Sequence, residues 1–266
     1  MATFIKELVV EPVDNDSLVT YQPGDYIQFN IPAYGEIGFN EIDVREPFKT
    51  VWQQQHVFDN KSVCTVPAKR NYSFATNPAV DKQYRFNIRI ATPPRGQDCR
   101  AGTGSAFMHR LKPGDTLTAN GPFGEFHIKS TLNEMIYIGG GSGMAPLRSH
   151  ISYLFDTLKT GRRVSFWYGA RSLQEVFYRD YFEGLAKRFP NFTYHLVLSE
   201  AADEDNWTGL TGFVHEALKN EYLAAHHDPA TVEYYLCGPP VMIKAARDML
   251  TGDFKVLPEQ LAYDEF

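Results

Sequence analysis

Beyond Asn133 the apolar residues fall into a repeated order of short strand then helix, and that order leaves few folds open. Met135-Ile136-Tyr137-Ile138 leads through glycines into a helical stretch over 145–158. Val164-Ser165-Phe166-Trp167-Tyr168 precedes a helix over 173–187, and Phe192-Thr193-Tyr194-His195-Leu196-Val197-Leu198 precedes one over 212–223. Glu233-Tyr234-Tyr235-Leu236-Cys237 leads into a helix over 239–250, and the chain closes on Gln260-Leu261-Ala262-Tyr263-Asp264. Five strands alternating with four helices predict a doubly wound α/β unit with five parallel strands.

Before that point the pattern is different. From Ala2 to about Phe126 the apolar residues come in short alternating runs, such as Tyr26-Ile27-Gln28-Phe29 and Tyr84-Arg85-Phe86-Asn87-Ile88-Arg89-Ile90. Turn signals separate them at Pro23-Gly24-Asp25, Pro93-Pro94, Lys112-Pro113-Gly114-Asp115 and Asn120-Gly121-Pro122. Short strands punctuated in this way predict a small antiparallel β-barrel over 1–130, followed by the α/β unit over 131–266. Residues 34–69 hold no sustained period and read as an inserted surface loop.

A length of 266 residues suits two ordinary domains, and 43% hydrophobic against 22% charged residues is the balance of a folded globular chain. The net charge of -6 argues against a nucleic-acid partner, which needs clustered Lys and Arg to neutralise phosphates. Cys64, Cys99 and Cys237 stand far apart, so they offer neither a disulfide framework nor a metal site and are expected to be free thiols. No apolar run reaches the length of a membrane span and no signal peptide is evident, so a soluble piece is expected.

Four local motifs carry chemistry. Gly139-Gly140-Gly141-Ser142-Gly143-Met144-Ala145-Pro146 sits where an apolar strand gives way to a helix. Glycines there let the backbone approach a pyrophosphate while the positive end of the helix faces its charge, although a glycine turn can also be purely structural. Cys237-Gly238-Pro239-Pro240 lies at the carboxyl end of a later strand, the edge at which open α/β sheets bind ligands. Cys237 reads either as a small core residue or as a wall for a nicotinamide ring. Arg70-Asn71-Tyr72-Ser73 combines a forked cation, an aromatic plate and a hydroxyl, the tools of a phosphate and ring site, although composition alone favours an exposed strand end. Gly102-Thr103-Gly104-Ser105 precedes a short helix ending near Leu111, with Ser105 as its N-cap and the same amides open to a pyrophosphate.

In this order along the chain, the Arg-x-Tyr-Ser strand, the Gly-x-x-Ser helix start, the Gly-x-Gly-x-x-Pro loop and the Cys-Gly-Pro-Pro turn resemble the ferredoxin–NADP reductase superfamily. The likeness covers nearly the whole chain. Further runs are similar, more narrowly, to the flavoprotein of the Na+-translocating NADH:quinone oxidoreductase family. They are Arg70 through Ala75, Asn87 through Pro94, Gly121-Pro122-Phe123-Gly124-Glu125-Phe126, Trp167-Tyr168-Gly169-Ala170-Arg171-Ser172 and Glu204-Asp205-Asn206-Trp207-Thr208-Gly209.

That resemblance implies an FAD-binding barrel followed by a Rossmann-like NADH-binding domain, with hydride passing from NADH to FAD. It implies that Arg70 binds the FAD pyrophosphate, Tyr72 stacks on the isoalloxazine and Ser73 hydrogen-bonds near flavin N5. Asn87, Ile88, Arg89 and Ala91 would run beside the flavin, largely through backbone, and Gly102, Thr103, Gly104 and Ser105 would complete the pyrophosphate site. Gly141, Ser142, Gly143 and Met144 would hold the NADH phosphates, with Cys237, Gly238 and Pro239 beside the nicotinamide. Phe266 would cover the other flavin face and swing aside for NADH. Arg171, the one cation after the second α/β strand, gives NADPH little to bind and so points to NADH.

Electrons would leave singly for a [2Fe–2S] centre in a fused ferredoxin-like domain and then for other subunits of a membrane respiratory complex that reduces quinone and moves Na+. The likeness places that complex on the cytoplasmic side of the bacterial inner membrane and this chain as a piece of a longer one. Two other readings share the motifs: a reductase serving an oxygenase, ferredoxin or free flavin, and a flavin-holding scaffold without turnover.

Overall fold

The computed structural model describes residues 2–14, 19–93 and 100–265. Its first half carries seven strands: β1 (Ile5–Val10), β2 (Tyr26–Ile31), β3 (Tyr34–Gly38), β4 (Lys61–Cys64), β5 (Ala68–Ser73), β6 (Tyr84–Arg89) and β7 (Ala119–Phe123). All pair antiparallel, β1 with β6, β2 between β5 and β7, and β3 with β4. The alternation in β2 turns Ile27, Phe29 and Ile31 into a core with Phe74, Phe86, Ile88 and Met108, leaving Tyr26 and Gln28 on the other face. Met108 comes from α2 (Thr103–Arg110), which plugs this core.

Residues 34–69 are not a surface loop. They contain β3, helix α1 (Phe48–Gln54), two short 3-10 turns and β4. Phe39, Ile42, Trp52 and Val57 are buried against Phe4, Ile90, Ala101 and Ala106. The Trp52 indole Nε1 also donates to the Thr3 carbonyl at 2.6 Å. This insertion has its own apolar centre, built from single large side chains spaced irregularly along the chain. That spacing is why no period betrays it.

The second half holds a six-stranded parallel sheet in the order β11-β10-β9-β8-β12-β13: β8 (Met135–Gly140), β9 (Val164–Ala170), β10 (Phe192–Leu198), β11 (Leu210–Thr211), β12 (Glu233–Gly238) and β13 (Leu261–Glu265). Five strands were expected from the sequence. The sixth, β11, is two residues long, too short to show an apolar pattern. Successive residues of β8 point to opposite faces: Tyr137 packs with residues of α3 (Met144–Ser152) and α4 (Arg179–Arg188), and Ile136 and Ile138 with α5 (Val214–Glu221) and α6 (Pro240–Asp253). The sheet is therefore covered on both faces, which suits its near-continuous apolar strands.

The helices depart from their expected bounds where the backbone turns. The stretch expected over 145–158 closes with a π-helical turn, Tyr153–Thr157. The one expected over 173–187 is a 3-10 turn at Leu173–Glu175, then α4, with Tyr178 between them in the left-handed region at φ 58.

α3 docks on the first half through polar groups. Ser149 Oγ donates to the Thr76 carbonyl at 2.6 Å, Asn77 Nδ2 donates to Ser152 Oγ at 3.2 Å, and His150 Nε2 pairs with the Phe126 carbonyl at 2.8 Å. These bonds satisfy buried groups at the junction of the two halves. Among the described residues no helix is long and apolar enough to cross a membrane. Cys64 and Cys237 are buried free thiols, while Cys99 and Pro94 lie outside the described residues.

Candidate functional site

The parallel sheet reverses its strand order beside β8, with β9 on one side and β12 on the other. Two loops leave the sheet at that switch point, the usual place for a ligand in an open α/β sheet. After β8 the chain turns through Gly141, at φ +55, into α3. After β12 it turns through Gly238, at φ +151, where a Cβ would lie 2.8 Å from the Gly140 carbonyl oxygen. Glycine is required at both, by conformation at the first and by conformation and close approach at the second. The loops border a cleft of about 650 Å³ lined by Gly141, Ser142, Arg171, Phe213, Pro239 and Met242, among others.

A second cleft, of about 560 Å³, opens on the antiparallel half. Tyr72 and Ser73 reach it from the end of β5, Asn87 and Arg89 from β6, Ala91 from the strand's extension, and Asp264 and Glu265 from β13. Burial pushes the Tyr72 phenol up to about 12, so it is a neutral aromatic surface with a polar tip. Burial likewise raises the Asp264 carboxyl. Arg89 and Ser142 line both clefts, which therefore adjoin.

Next to the second cleft, the start of α2 closes on Arg70. A Cβ on Gly104 would stand 2.5 Å from Arg70 Cγ and 3.3 Å from the Tyr72 hydroxyl, and Arg70 Nη2 donates to Thr103 Oγ1 at 3.3 Å. Among the described residues no carboxylate pairs with Arg70 or Arg89, whereas Arg171 is held by Glu175. Unpaired guanidiniums beside a helix start are suited to an anion. Asn87, which lines the second cleft, has its Oδ1 buried without a hydrogen-bond partner. Arg89 and Arg171 both lie over the Phe4 ring, at 5.9 and 5.7 Å from its centroid.

The sequence-predicted residues divide accordingly. Tyr72, Ser73, Asn87, Arg89 and Ala91 share one cleft, Gly141, Arg171 and Pro239 the other, and Ser142 both. Arg70, Gly102, Thr103, Gly104 and Ser105 stand together beside the first of these groups. Ser105 is not the N-cap of α2. Gly102 holds that position, and the Ser105 hydroxyl accepts the Ala91 amide at 3.0 Å and donates to the Gly102 carbonyl at 3.2 Å, tying the helix to the cleft wall.

Ile88 turns its side chain into the barrel core and Met144 is wholly buried, and neither lines a cleft. Cys237 is likewise wholly buried and lines neither cleft. Its side chain points to the apolar layer of Tyr137 and Leu147, where burial pushes the thiol well up, and its carbonyl packs against Gly143. Phe266 lies outside the described residues. Sequence reasoning missed Phe4, Tyr26, Phe213 and Met242 in the clefts. Tyr26 had a signal, as the outward residue of an alternating strand.

The family described as "Oxidoreductase NAD-binding domain" matches residues 137–248. The chain is 44% identical over 266 residues to the F subunit of the Na(+)-translocating NADH-quinone reductase of Pseudomonas aeruginosa, covering all of this chain and 65% of that one. It is 44% identical to the Klebsiella pneumoniae and 42% to the Neisseria meningitidis proteins of the same name, each with the same coverage. The chain thus spans 65% of the length of these curated relatives. Among solved structures, the FAD/NAD binding domain of nitric oxide dioxygenase from Vibrio cholerae superposes with a TM-score of 0.74 at 19% identity, covering 100% of this chain and 93% of that one. Ferredoxin-NADP+ reductase from Plasmodium falciparum gives 0.67 at 18% identity, with the same coverage. Both likenesses speak for the fold.

Proposed function

The chain is related over its whole length to the F subunits of the Na(+)-translocating NADH-quinone reductases, and on that premise we propose that it is an NADH-oxidising, FAD-dependent reductase module. One observation carries the reading: the two clefts adjoin through Arg89 and Ser142, so a nicotinamide held in one would lie within reach of a flavin held in the other. Hydride transfer needs that proximity more than it needs acid–base groups.

The residues present fit FAD. Arg70 and the start of α2 would take its pyrophosphate, Tyr72 and Ser73 its ring, and the orphaned Asn87 Oδ1 one of its donors. Gly141, Ser142 and the backbone of Gly143 and Gly238 would take NADH in the neighbouring cleft. Bound FAD supplies the chemistry, accepting a hydride and giving up electrons one at a time. The chain's own residues position the two rings and keep water from between them. Glu175 holds Arg171, the cation that follows the second α/β strand, so that guanidinium is not free for the extra phosphate of NADPH, which favours NADH. This reading treats residues 1–130 as the FAD-binding domain and 131–266 as the NADH-binding domain.

The electron exit we propose is a [2Fe–2S] centre in a fused ferredoxin-like domain, within a complex at the cytoplasmic face of the bacterial inner membrane that reduces quinone and translocates Na+. The names of the relatives, F subunits of Na(+)-translocating NADH-quinone reductases, support the quinone and Na+ parts of that assignment. FAD-loaded protein with NADH and ferricyanide, a one-electron acceptor, tests the module directly. NADH-dependent ferricyanide reduction is expected, far slower with NADPH, and an Arg70→Ala variant should bind FAD at least about tenfold more weakly. Failure to take up FAD, or equal rates with both nucleotides, would contradict the reading.

A further inference from the structure

Asn87 lines the cleft assigned above to the flavin, yet what fixes its side chain comes from the other half of the chain. Its Nδ2 donates to the hydroxyl of Tyr178 at 3.0 Å. That hydroxyl in turn donates to Glu7 Oε2, and the other Glu7 oxygen is paired with Arg85 Nη1 at 2.8 Å. Tyr178 precedes α4, held at positive φ, and its ring lies under the Arg148 guanidinium at 4.8 Å. Arg148 stands on α3, the helix that grows from the glycine loop, and donates to the Ala75 carbonyl two residues beyond Ser73.

A phenol has one proton. Glu7, an acceptor only, takes it, so the face of the Tyr178 oxygen turned to Asn87 is a lone pair and must accept. Asn87 is thereby obliged to turn its NH2 toward Tyr178 and its carbonyl the other way. That carbonyl oxygen is the buried atom left without a partner, on a residue only 5% exposed. Burial and the Glu7 carboxylate both raise the Tyr178 pKa, which keeps the proton in place across the working pH range.

Taking FAD as the occupant, as proposed above, we infer that Tyr178 is a positioning residue which, through Glu7, fixes Asn87 as an acceptor for the N–H of the flavin's pyrimidine ring. Oxidised isoalloxazine has a single ring N–H, at N3, so the partner is defined by chemistry. Asn87 belongs to β6 and Tyr178 to the α/β half. The grip on the flavin therefore depends on the two halves being docked, and FAD should tighten that docking in return.

The test is a double-mutant cycle on FAD affinity, with the apoprotein titrated by FAD and the flavin absorption maximum followed alongside. Asn87→Ala is expected to weaken FAD by about tenfold. Tyr178→Phe, at a residue that does not line the cleft, should weaken it by a similar factor and shift the absorption band in the same sense. The double variant should bind no worse than Asn87→Ala, because the two act through one hydrogen bond. N3-methyl-FAD, which lacks the N–H, should bind the wild type no better than Asn87→Ala binds FAD. Added FAD should also raise the Tm of the wild type more than that of Tyr178→Phe.

If Tyr178→Phe does not fold, Glu7→Gln asks the same question. It frees the phenol proton to turn to Asn87, so FAD binding should weaken in the wild-type background and not in Asn87→Ala. Additive losses, or Asn87→Ala binding FAD as the wild type does, would overturn the positioning role while leaving the FAD reading intact. A wild-type chain that takes up no FAD would overturn both.

Discussion

Replacing Gly143 by alanine sets two effects of opposite sign against each other. Gly143 leads into α3 at φ -58, a backbone any residue adopts, so on conformation alone alanine gains up to about 1 kcal/mol. Space says otherwise. A Cβ there would lie 2.1 Å from the Cys237 carbonyl oxygen and 2.6 Å from the Gly238 amide nitrogen. The first distance is 1.3 Å short of the 3.4 Å at which ordinary contact begins, and both obstacles are backbone atoms of β12. The start of α3 and the end of β12 must part, and overpacking of this kind costs about 1–3 kcal/mol. The net expectation is a loss of about 1–2 kcal/mol, a Tm lower by a few degrees, and weaker NADH binding because the two loops of the nucleotide cleft separate. Thermal unfolding and NADH titration of Gly143→Ala read both. Gly184→Ala is the internal reference, since α4 leaves open space around that glycine and alanine there should stabilise by about 1 kcal/mol. A Gly143→Ala variant as stable as the wild type, with unchanged NADH affinity, would refute the packing argument.

Two further perturbations test other parts of the account. Trp52→Ala should destabilise by about 3–5 kcal/mol, because the ring is 1% exposed and anchors the insertion to Thr3, and chemical denaturation would expose a loss under 1 kcal/mol as contrary. His109 and His150 are both held down to about 4 from an ordinary 6.5 by burial, so they stay neutral in the fold while the unfolded chain protonates. The unfolded state then binds more protons between those values, and stability should fall as pH drops from about 6.5 toward about 4, by up to about 3 kcal/mol for each histidine. Stability that stays flat between pH 7 and pH 5 would contradict it.

The parts of the fold that were legible are those whose burial is continuous. β8, β9 and β12 are buried along nearly their whole length and write near-continuous apolar runs, β10 does so over its last three residues, and the glycine loop is marked by Gly141 at positive φ. Residues 34–69 were illegible because Phe39, Trp52 and Val57 are each pinned by partners far along the chain, such as Phe4 and Ile90, rather than by neighbours at a fixed spacing. Cys237 shows a finer limit. Its place at a strand end was readable, but whether its thiol faced the cleft or the core depended on which helices cover each face of the sheet. The Asn87–Tyr178 bond spans 91 residues and crosses between the halves, so no local pattern announces it. Ser105 was readable as a helix-start residue, but one turn of register decides whether it caps or tethers.

The claim on which the rest depends is that the adjoining clefts bring NADH to a flavin. An anaerobic titration of the FAD-loaded protein with NADH, followed at the visible flavin band, tests it most directly. The account predicts bleaching that is complete at about one NADH per flavin, the stoichiometry of a single hydride transfer. A flavin band that persists through excess NADH would contradict it.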